Sequence, residues 1–314
     1  MSAMPAALQK FLDEANAKKT EITVASARKN LAIIADICAQ PKLGLSLIQN
    51  YTFHTANHSI ITRIYHPQPE KKLPLTLYFH GGGHVSGSLD THDALCRRIA
   101  ASSECVVLSV GYRLAPEFPY PAGIEDCRHV FVHRGELEKF LNIDNTLVFL
   151  AGDSAGGNLA LTVAHTMKTH GDTCIKGLVL IYPSVDYTMQ YPSIDRYGEG
   201  YLLDKEKIAW YFNQYFSQKQ DRLEASPLYF RHLEKLPPFY LAVGEYDPLH
   251  DEGVAFAKKV QSLGVSVELE EFAGMVHVFA QLETIVPNQG NRLIQSIGNF
   301  IKKTTFNRLD FGLI

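Results

Sequence analysis

The sequence predicts an α/β protein, a mostly parallel sheet of eight strands flanked by helices and carrying a helical cap. Three observations point there. From residue 74 short apolar runs alternate with helix-like segments, two helix-like stretches precede any strand, and one late connection is too long for a plain loop.

Taken in order, residues 5–17 place Leu8, Phe11, Leu12 and Ala15 on one helical face. Residues 24–38 do the same with Ala27, Leu31, Ile34, Ala35 and Cys38. Candidate strands at 46–53 and 58–65, joined near Ala56-Asn57, suggest an antiparallel hairpin at one end of the sheet. The runs 75–79, 105–110, 146–151, 177–182, 239–243 and 265–271 read as buried, mainly parallel strands. Helices are expected near 91–102, 122–140, 155–169, 251–263 and 288–303. About fifty residues lie between the strand ending at Tyr182 and the one starting near Phe239, a length that implies its own structure or a function. Its middle, 205–218, is helical and aromatic, with Ile208, Ala209, Trp210, Phe212, Tyr215 and Phe216. Such a helix packs on the core or caps a substrate pocket, and a cap must also pack.

The chain's 314 residues fit one large domain, or one with an appendage. A net charge of -3, with no Lys/Arg block longer than two, argues against nucleic acid or an anionic membrane surface as partner. Five cysteines without CxxC spacing argue against a disulfide framework or a zinc site. The N-terminus has no apolar signal core, and no segment reaches the length of a membrane span. A cytoplasmic protein is expected.

The chemistry gathers at Gly152-Asp153-Ser154-Ala155-Gly156, between an apolar run and a helical one. A serine at the tip of a tight strand-to-helix turn is held in strained, exposed geometry, and small residues two before and two after it let strand and helix approach. Such a pentapeptide arises by chance in roughly one chain of this length in ten, so its neighbours must carry the reading. His80-Gly81-Gly82-Gly83, directly after a strand, offers backbone N–H groups to an oxyanion. Gly82 and Gly83 are the expected donors, joined by the N–H of Ala155 at its helix start. His80 reads as a loop-fixing hydrogen bonder. In this sheet type the acid follows the second-last strand and the histidine follows the last, which selects Asp247 and His277. Asp251 is the rival acid, although its position suits a helix N-cap. His129 and His133 share the spacing of metal ligands, but Val130 stands where HExxH needs Glu and no third ligand is evident. His54 and His58 flank the hairpin turn and read as surface residues. No GxGxxG or P-loop occurs, so neither a nucleotide cofactor nor a metal is expected.

Together HGGG at 80–83, YRLAPE at 112–117, GDSAGG at 152–157, Asp247-Pro248-Leu249 with Asp251-Glu252-Gly253, and His277 before Phe279 resemble the hormone-sensitive-lipase-like group of α/β-hydrolase esterases, the bacterial family IV carboxylesterases. The resemblance implies an α/β-hydrolase fold. It implies cap helices at 1–45, a first part of the core at 46–184, a cap insertion at 185–225 and the rest of the core at 226–314. It implies hydrolysis of short- to medium-chain carboxylic esters by Ser154, His277 and Asp247, with no cofactor and a small-molecule ester as partner. Amidase or aryl-amide deacetylase activity is the alternative on the same machinery, and a small-ligand receptor on the same fold is another. The sequence departs from the family at His84, where an aromatic residue often follows HGGG, and at Gly111, His250 and Val278. Pocket residues are expected at His84, Tyr201, Trp210, Phe212 and Val278. The tail 306–314 is apolar enough to dock on its own core or on a partner, which points to a homodimer.

Overall fold

The computed structural model describes residues 2–18, 21–217 and 222–309 of the chain. Two helices come first, α1 (Ala6–Ala17) and α2 (Val24–Cys38). At the start of α2, Thr23 and Ser26 cap each other's backbone N–H groups at 3.0 and 2.8 Å, which satisfies donors the helix cannot. The hairpin β1 (Leu47–His54) and β2 (Ser59–His66) follows. The alternating region then runs β3 (Leu73–Phe79), α3 (Asp93–Ser103), β4 (Val106–Gly111), α4 (Ala122–His133), β5 (Ile143–Asp153), α5 (Ala155–Thr169) and β6 (Ile175–Ile181). The long connection carries α6 (Pro192–Arg196), α7 (Lys205–Tyr215) and α8 (Arg222–Ala225). The chain closes with β7 (Phe239–Tyr246), α9 (His250–Ser262), β8 (Val267–Val276) and α10 (Pro287–Leu309).

The eight strands form one sheet in the order β1-β2-β4-β3-β5-β6-β7-β8. β2 is antiparallel to β1 and β4, and every other pairing is parallel. This is the α/β-hydrolase fold. Alternation along the central strands divides the core between the two faces. Leu75, Leu77 and Phe79 pack with side chains of α4, α5 and α9, while Tyr78, Val107 and Phe149 pack with those of α3 and α10. Ile208, Tyr211, Phe212, Tyr215 and Phe216 form a third cluster with Ala27 and Val85, and so tie α7 to α2 and to the loop after β3. Phe79 pairs with Gly152 and Gly152 with Leu180, so β3, β5 and β6 end level at the carboxyl edge, where open α/β sheets bind ligands.

Four local expectations change. The helix expected at 122–140 stops at His133 and tightens into a 3₁₀ segment, Arg134–Lys139. Gly135 lies at that point, and glycine costs about 1 kcal/mol in a helix interior. The last strand runs on from 271 to Val276, with Gly274 at φ +73° marking an irregularity where the register to β7 shifts. Asp251 lies in the first turn of α9 rather than at its N-cap, which is Leu249. His58 is half-buried and bonds Asp126 at 2.8 Å, whereas His54 is exposed. His129 and His133 stack at 4.0 Å, and among the described residues no group of three or more His, Cys, Asp or Glu is placed to hold a metal. No helix among them is long and apolar enough to cross a membrane. Most of the 306–314 tail, on which the homodimer expectation rests, lies outside the described residues.

The tightest constraint is where α5 crosses β3. A Cβ on Gly156 would stand 1.9 Å from the Phe79 carbonyl oxygen, and one on Gly152 would stand 2.3 Å from that of Gly156. A backbone obstacle cannot rotate away, so Gly156→Ala is expected to cost about 3 kcal/mol or more in urea unfolding. Gly135→Ala, with nothing within 4 Å, should instead leave stability unchanged or raise it by up to about 1 kcal/mol.

Candidate active site

Ser154 stands between β5 and α5 at φ 53°, ψ −121°, outside the favoured backbone regions. Its N–H donates to the Ile181 carbonyl at 2.8 Å, and its carbonyl accepts from Asn158 at 3.1 Å and Ser184 at 3.2 Å. These bonds hold a conformation that costs on the order of 1–3 kcal/mol. The result is a hydroxyl lifted clear of the strand.

That hydroxyl lies 2.9 Å from His277 Nε2, and His277 Nδ1 lies 2.7 Å from Asp247 Oδ2. Because a carboxylate can only accept, Nδ1 carries the proton toward Asp247 and Nε2 is left to accept from Ser154. Asp247 Oδ1 accepts the Leu249 N–H at 2.7 Å, which fixes the carboxylate plane. His277 follows β8 and is 2 % exposed, and Asp247 follows β7 and is fully buried. Little competing water reaches these bonds.

The loop 80–83 is anchored from below by Asp153. Its Oδ1 accepts from Tyr78 Oη at 2.6 Å and from the Gly81 N–H at 2.9 Å, and His92 Nε2 lies 3.3 Å from Oδ2. Burial pushes this carboxyl up, but His92, Tyr78 and Gly81 more than offset it and hold it below its ordinary value. A side chain at 81 would strike Asp153 Oδ2 at 2.3 Å. His80 stacks on Tyr112, whose hydroxyl donates to the His80 carbonyl at 2.6 Å. Burial and neighbouring His92 lower the His80 pKa to about 3, so its imidazole is neutral and fixes the loop. Gly82 and Gly83 take φ +117° and +63°, line the same cavity as Ser154, and face the first turn of α5, where Ala155 N–H lacks an intrahelical acceptor. Asp153, Tyr78 and His92 were not singled out in the sequence. The polar residue inside GDSAG was the only available signal for any of them.

The cavity above Ser154 has a volume of about 100 Å³ and is walled by α2, α7 and the loops after β3, β5 and β8. His84, Phe212 and Val278 line it. Two other pocket expectations are corrected. Tyr201 is not in the wall but stacks on Tyr246 at 5.5 Å, and Trp210 turns its ring edge-on to Tyr211, which takes the lining place. A helix in contact with a pocket presents only one side, and 210 and 211 point about 100° apart. His84 is buried. It stacks on Tyr215 at 3.7 Å with Nε2 3.0 Å from Tyr187 Oη, and burial, with His80 nearby, lowers its pKa to about 3.

α2 is fastened to these loops by Arg28. Its guanidinium donates to the Val85 carbonyl at 2.9 Å and to both carboxylate oxygens of Glu117 at 2.8 and 2.6 Å. The Arg28 hydrogen bonds hold the Glu117 carboxyl down to about 2. Sequence reading grouped Glu117 with YRLAPE but had no signal for its partner, 89 residues away.

With this geometry in view, comparison with known proteins is informative. The family model described as the alpha/beta hydrolase fold matches residues 76–281. The chain belongs to the α/β-hydrolase family. Within the family it falls among the hormone-sensitive-lipase-like esterases, as the motifs imply. It is 35 % identical to the ethyl acetate hydrolase of Pseudomonas putida, over 76 % of this chain and 77 % of that one. It is 33 % identical to the arylesterase of Saccharolobus solfataricus, over 77 % and 79 %. Among solved structures, the Pyrobaculum calidifontis esterase superposes with a TM-score of 0.88 at 34 % identity, covering 96 % of this chain and 99 % of that one. An ester hydrolase from the metagenome of Lake Arreo reaches 0.90 at 30 %, covering 96 % and 99 %.

One departure from the α/β-hydrolase pattern predicts a pH effect. His250, at the start of α9, sits between Asp251 Oδ1 and Glu271 Oε2, each at 2.9 Å. Arg196 of α6 faces Asp251 from 3.9 Å. Burial lowers the His250 pKa, but the hydrogen bonds and charges of Asp251 and Glu271 outweigh it, and the net shift is upward from 6.5. The protonated form is therefore favoured by folding. Its stabilisation is complete below about pH 6.5 and is lost as pH rises through the higher folded value. His250→Gln should lower the melting temperature most in acid and least in alkali, measured across about pH 5 to 9.

Proposed function

We propose that this protein hydrolyses carboxylic esters of short to medium chain length by two-step acyl transfer. The observation that carries the reading is the continuous chain from Ser154 Oγ through His277 to Asp247, at 2.9 and 2.7 Å. Ser154 Oγ attacks the ester carbonyl carbon while its proton passes to His277 Nε2. Asp247 holds the imidazole tautomer and stabilises the imidazolium. The carbonyl electrons collect on oxygen, where the N–H groups of Gly82, Gly83 and Ala155 receive them. Collapse expels the alcohol, which takes the proton from His277, and leaves the acyl group on Ser154. Water then gives its proton to His277, adds to the acyl carbon, and the acid leaves as Ser154 regains its proton. Relatives named for ester hydrolysis on simple and aryl esters support the same bond type. A receptor function would leave the contact between Ser154 and His277 without a purpose.

Ser154→Ala should lower kcat/KM on p-nitrophenyl butyrate by about ten-thousandfold, and Asp247→Asn by a thousandfold or more, with melting temperatures close to wild type. Activity retained in Ser154→Ala would overturn the mechanism. Gly82→Ala places a Cβ 2.3 Å from the Ser86 carbonyl at a φ of +117°, so the loop must move. Its kcat should fall about a hundredfold or more. Faster turnover of a matched anilide than of the ester would assign the enzyme to the amidases instead.

A further inference from the structure

The cavity over Ser154 is not the end of the recess. A second one, of about 670 Å³, lies between α1, α2 and the start of α7. Ala27, Asn30, Ile34, Leu202 and Lys207 line both. These five residues form a wall common to both. The outer cavity adds an apolar floor of Phe11, Ile22, Ile33 and Ile37, of which Ile33 and Ile37 are 43 % and 60 % exposed. Charged side chains of Glu14, Lys18, Glu21 and Glu206 also line it. Exposed apolar side chains grouped on a recess that continues a binding cavity are a recognised mark of ligand contact.

We propose that the two cavities form one substrate site, with the outer one receiving the far end of an ester's hydrocarbon chain through the wall at Asn30, Leu202 and Lys207. This rests on the esterase reading above. The wall's conformation supports it. Leu202 takes φ +73°, an unfavourable value for a branched side chain. Its segment is pinned from both sides, by Asn16 of α1 donating to the Gly200 carbonyl at 3.0 Å and by the Gly200 N–H donating to Asp204 at 3.0 Å. Backbone strain that the surroundings maintain collects at ligand-contacting positions. The inner cavity alone has less than a sixth of the outer volume, so a long chain outgrows it, and the outer cavity lies beside it.

The test uses p-nitrophenyl alkanoates from acetate to decanoate and alkyl acetates from ethyl to decyl, on wild type, Asn30→Phe and Leu202→Gly. Asn30→Phe fills the passage, and Leu202→Gly opens it at a residue whose φ suits glycine. Wild type should retain its kcat/KM on octanoate and decanoate. Relative to acetate and butyrate, Asn30→Phe should lose about tenfold there, and Leu202→Gly should gain on the longest chains. The series that responds tells whether the acyl or the alcohol chain occupies the outer cavity. Equal effects on short and long substrates in both series, or a wild type that stops at butyrate, would overturn the proposal. A readout independent of turnover uses Trp210, the single tryptophan, three residues from Lys207. In Ser154→Ala, decanoate should change its fluorescence and butyrate should not, and Asn30→Phe should abolish the difference. A fluorescence response without hydrolysis by wild type would sink the esterase reading and leave the double cavity standing. No response alongside good hydrolysis would do the reverse.

Discussion

The structure depends on one steric fact, that α5 lies against β3 with backbone touching backbone. With a Cβ on Gly156 only 1.9 Å from the Phe79 carbonyl, the crossing is possible only without a side chain. That approach brings two otherwise separate features within reach of each other. One is the turn that raises Ser154, and the other is the glycine loop that begins at the next residue after Phe79. Asp153 secures the arrangement, since it belongs to the turn and bonds the Gly81 N–H of the loop. A single buried carboxylate thus joins the serine turn to the groups facing it.

The core was legible because its signals are local. Strands buried on both faces are short apolar runs, the helices between them repeat at helical spacing, and each motif occupies consecutive residues. Asp247 and His277 could be placed because the order of strands fixes which loops reach the carboxyl edge. What escaped the sequence is long-range or directional. The partnership of Arg28 with Glu117 leaves no mark on either residue's neighbours. Nor could the choice between Trp210 and Tyr211 be read, because both are aromatic and only the helix's docking angle decides which one meets the cavity. β8 runs past the expected end at 271 because Gly274, at φ +73°, bends the strand without ending it, and it continues to Val276.

Two distant parts of the chain, α2 and α7, wall the cavity over Ser154, and their contacts with the rest of the protein are polar at the edges and aromatic at the centre. Arg28 grips the loop after the glycines, and the Gln40 N–H bonds Glu283 at 2.9 Å, a few residues beyond His277. α2 therefore spans the two loops that face the Ser154 hydroxyl. Between these anchors Tyr187, Tyr215 and His84 pack as an aromatic block, which gives α7 a fixed seat over the cavity.

The wall of that cavity is unusual in its backbone. His84, Ser154, Leu202 and Val278 all line it, and all carry positive φ values, of 62°, 53°, 73° and 70°. At Ser154 the strained turn puts the hydroxyl 2.9 Å from His277 Nε2. At 202 and 278, glycine would adopt the conformation freely, and the retained side chains instead give the cavity part of its shape. A protein under selection for stability alone would be expected to relax these positions first, and in doing so would widen what it admits. Robustness and selectivity are therefore antagonists at the same few residues, and a lineage evolving toward heat tolerance should trade one for the other there.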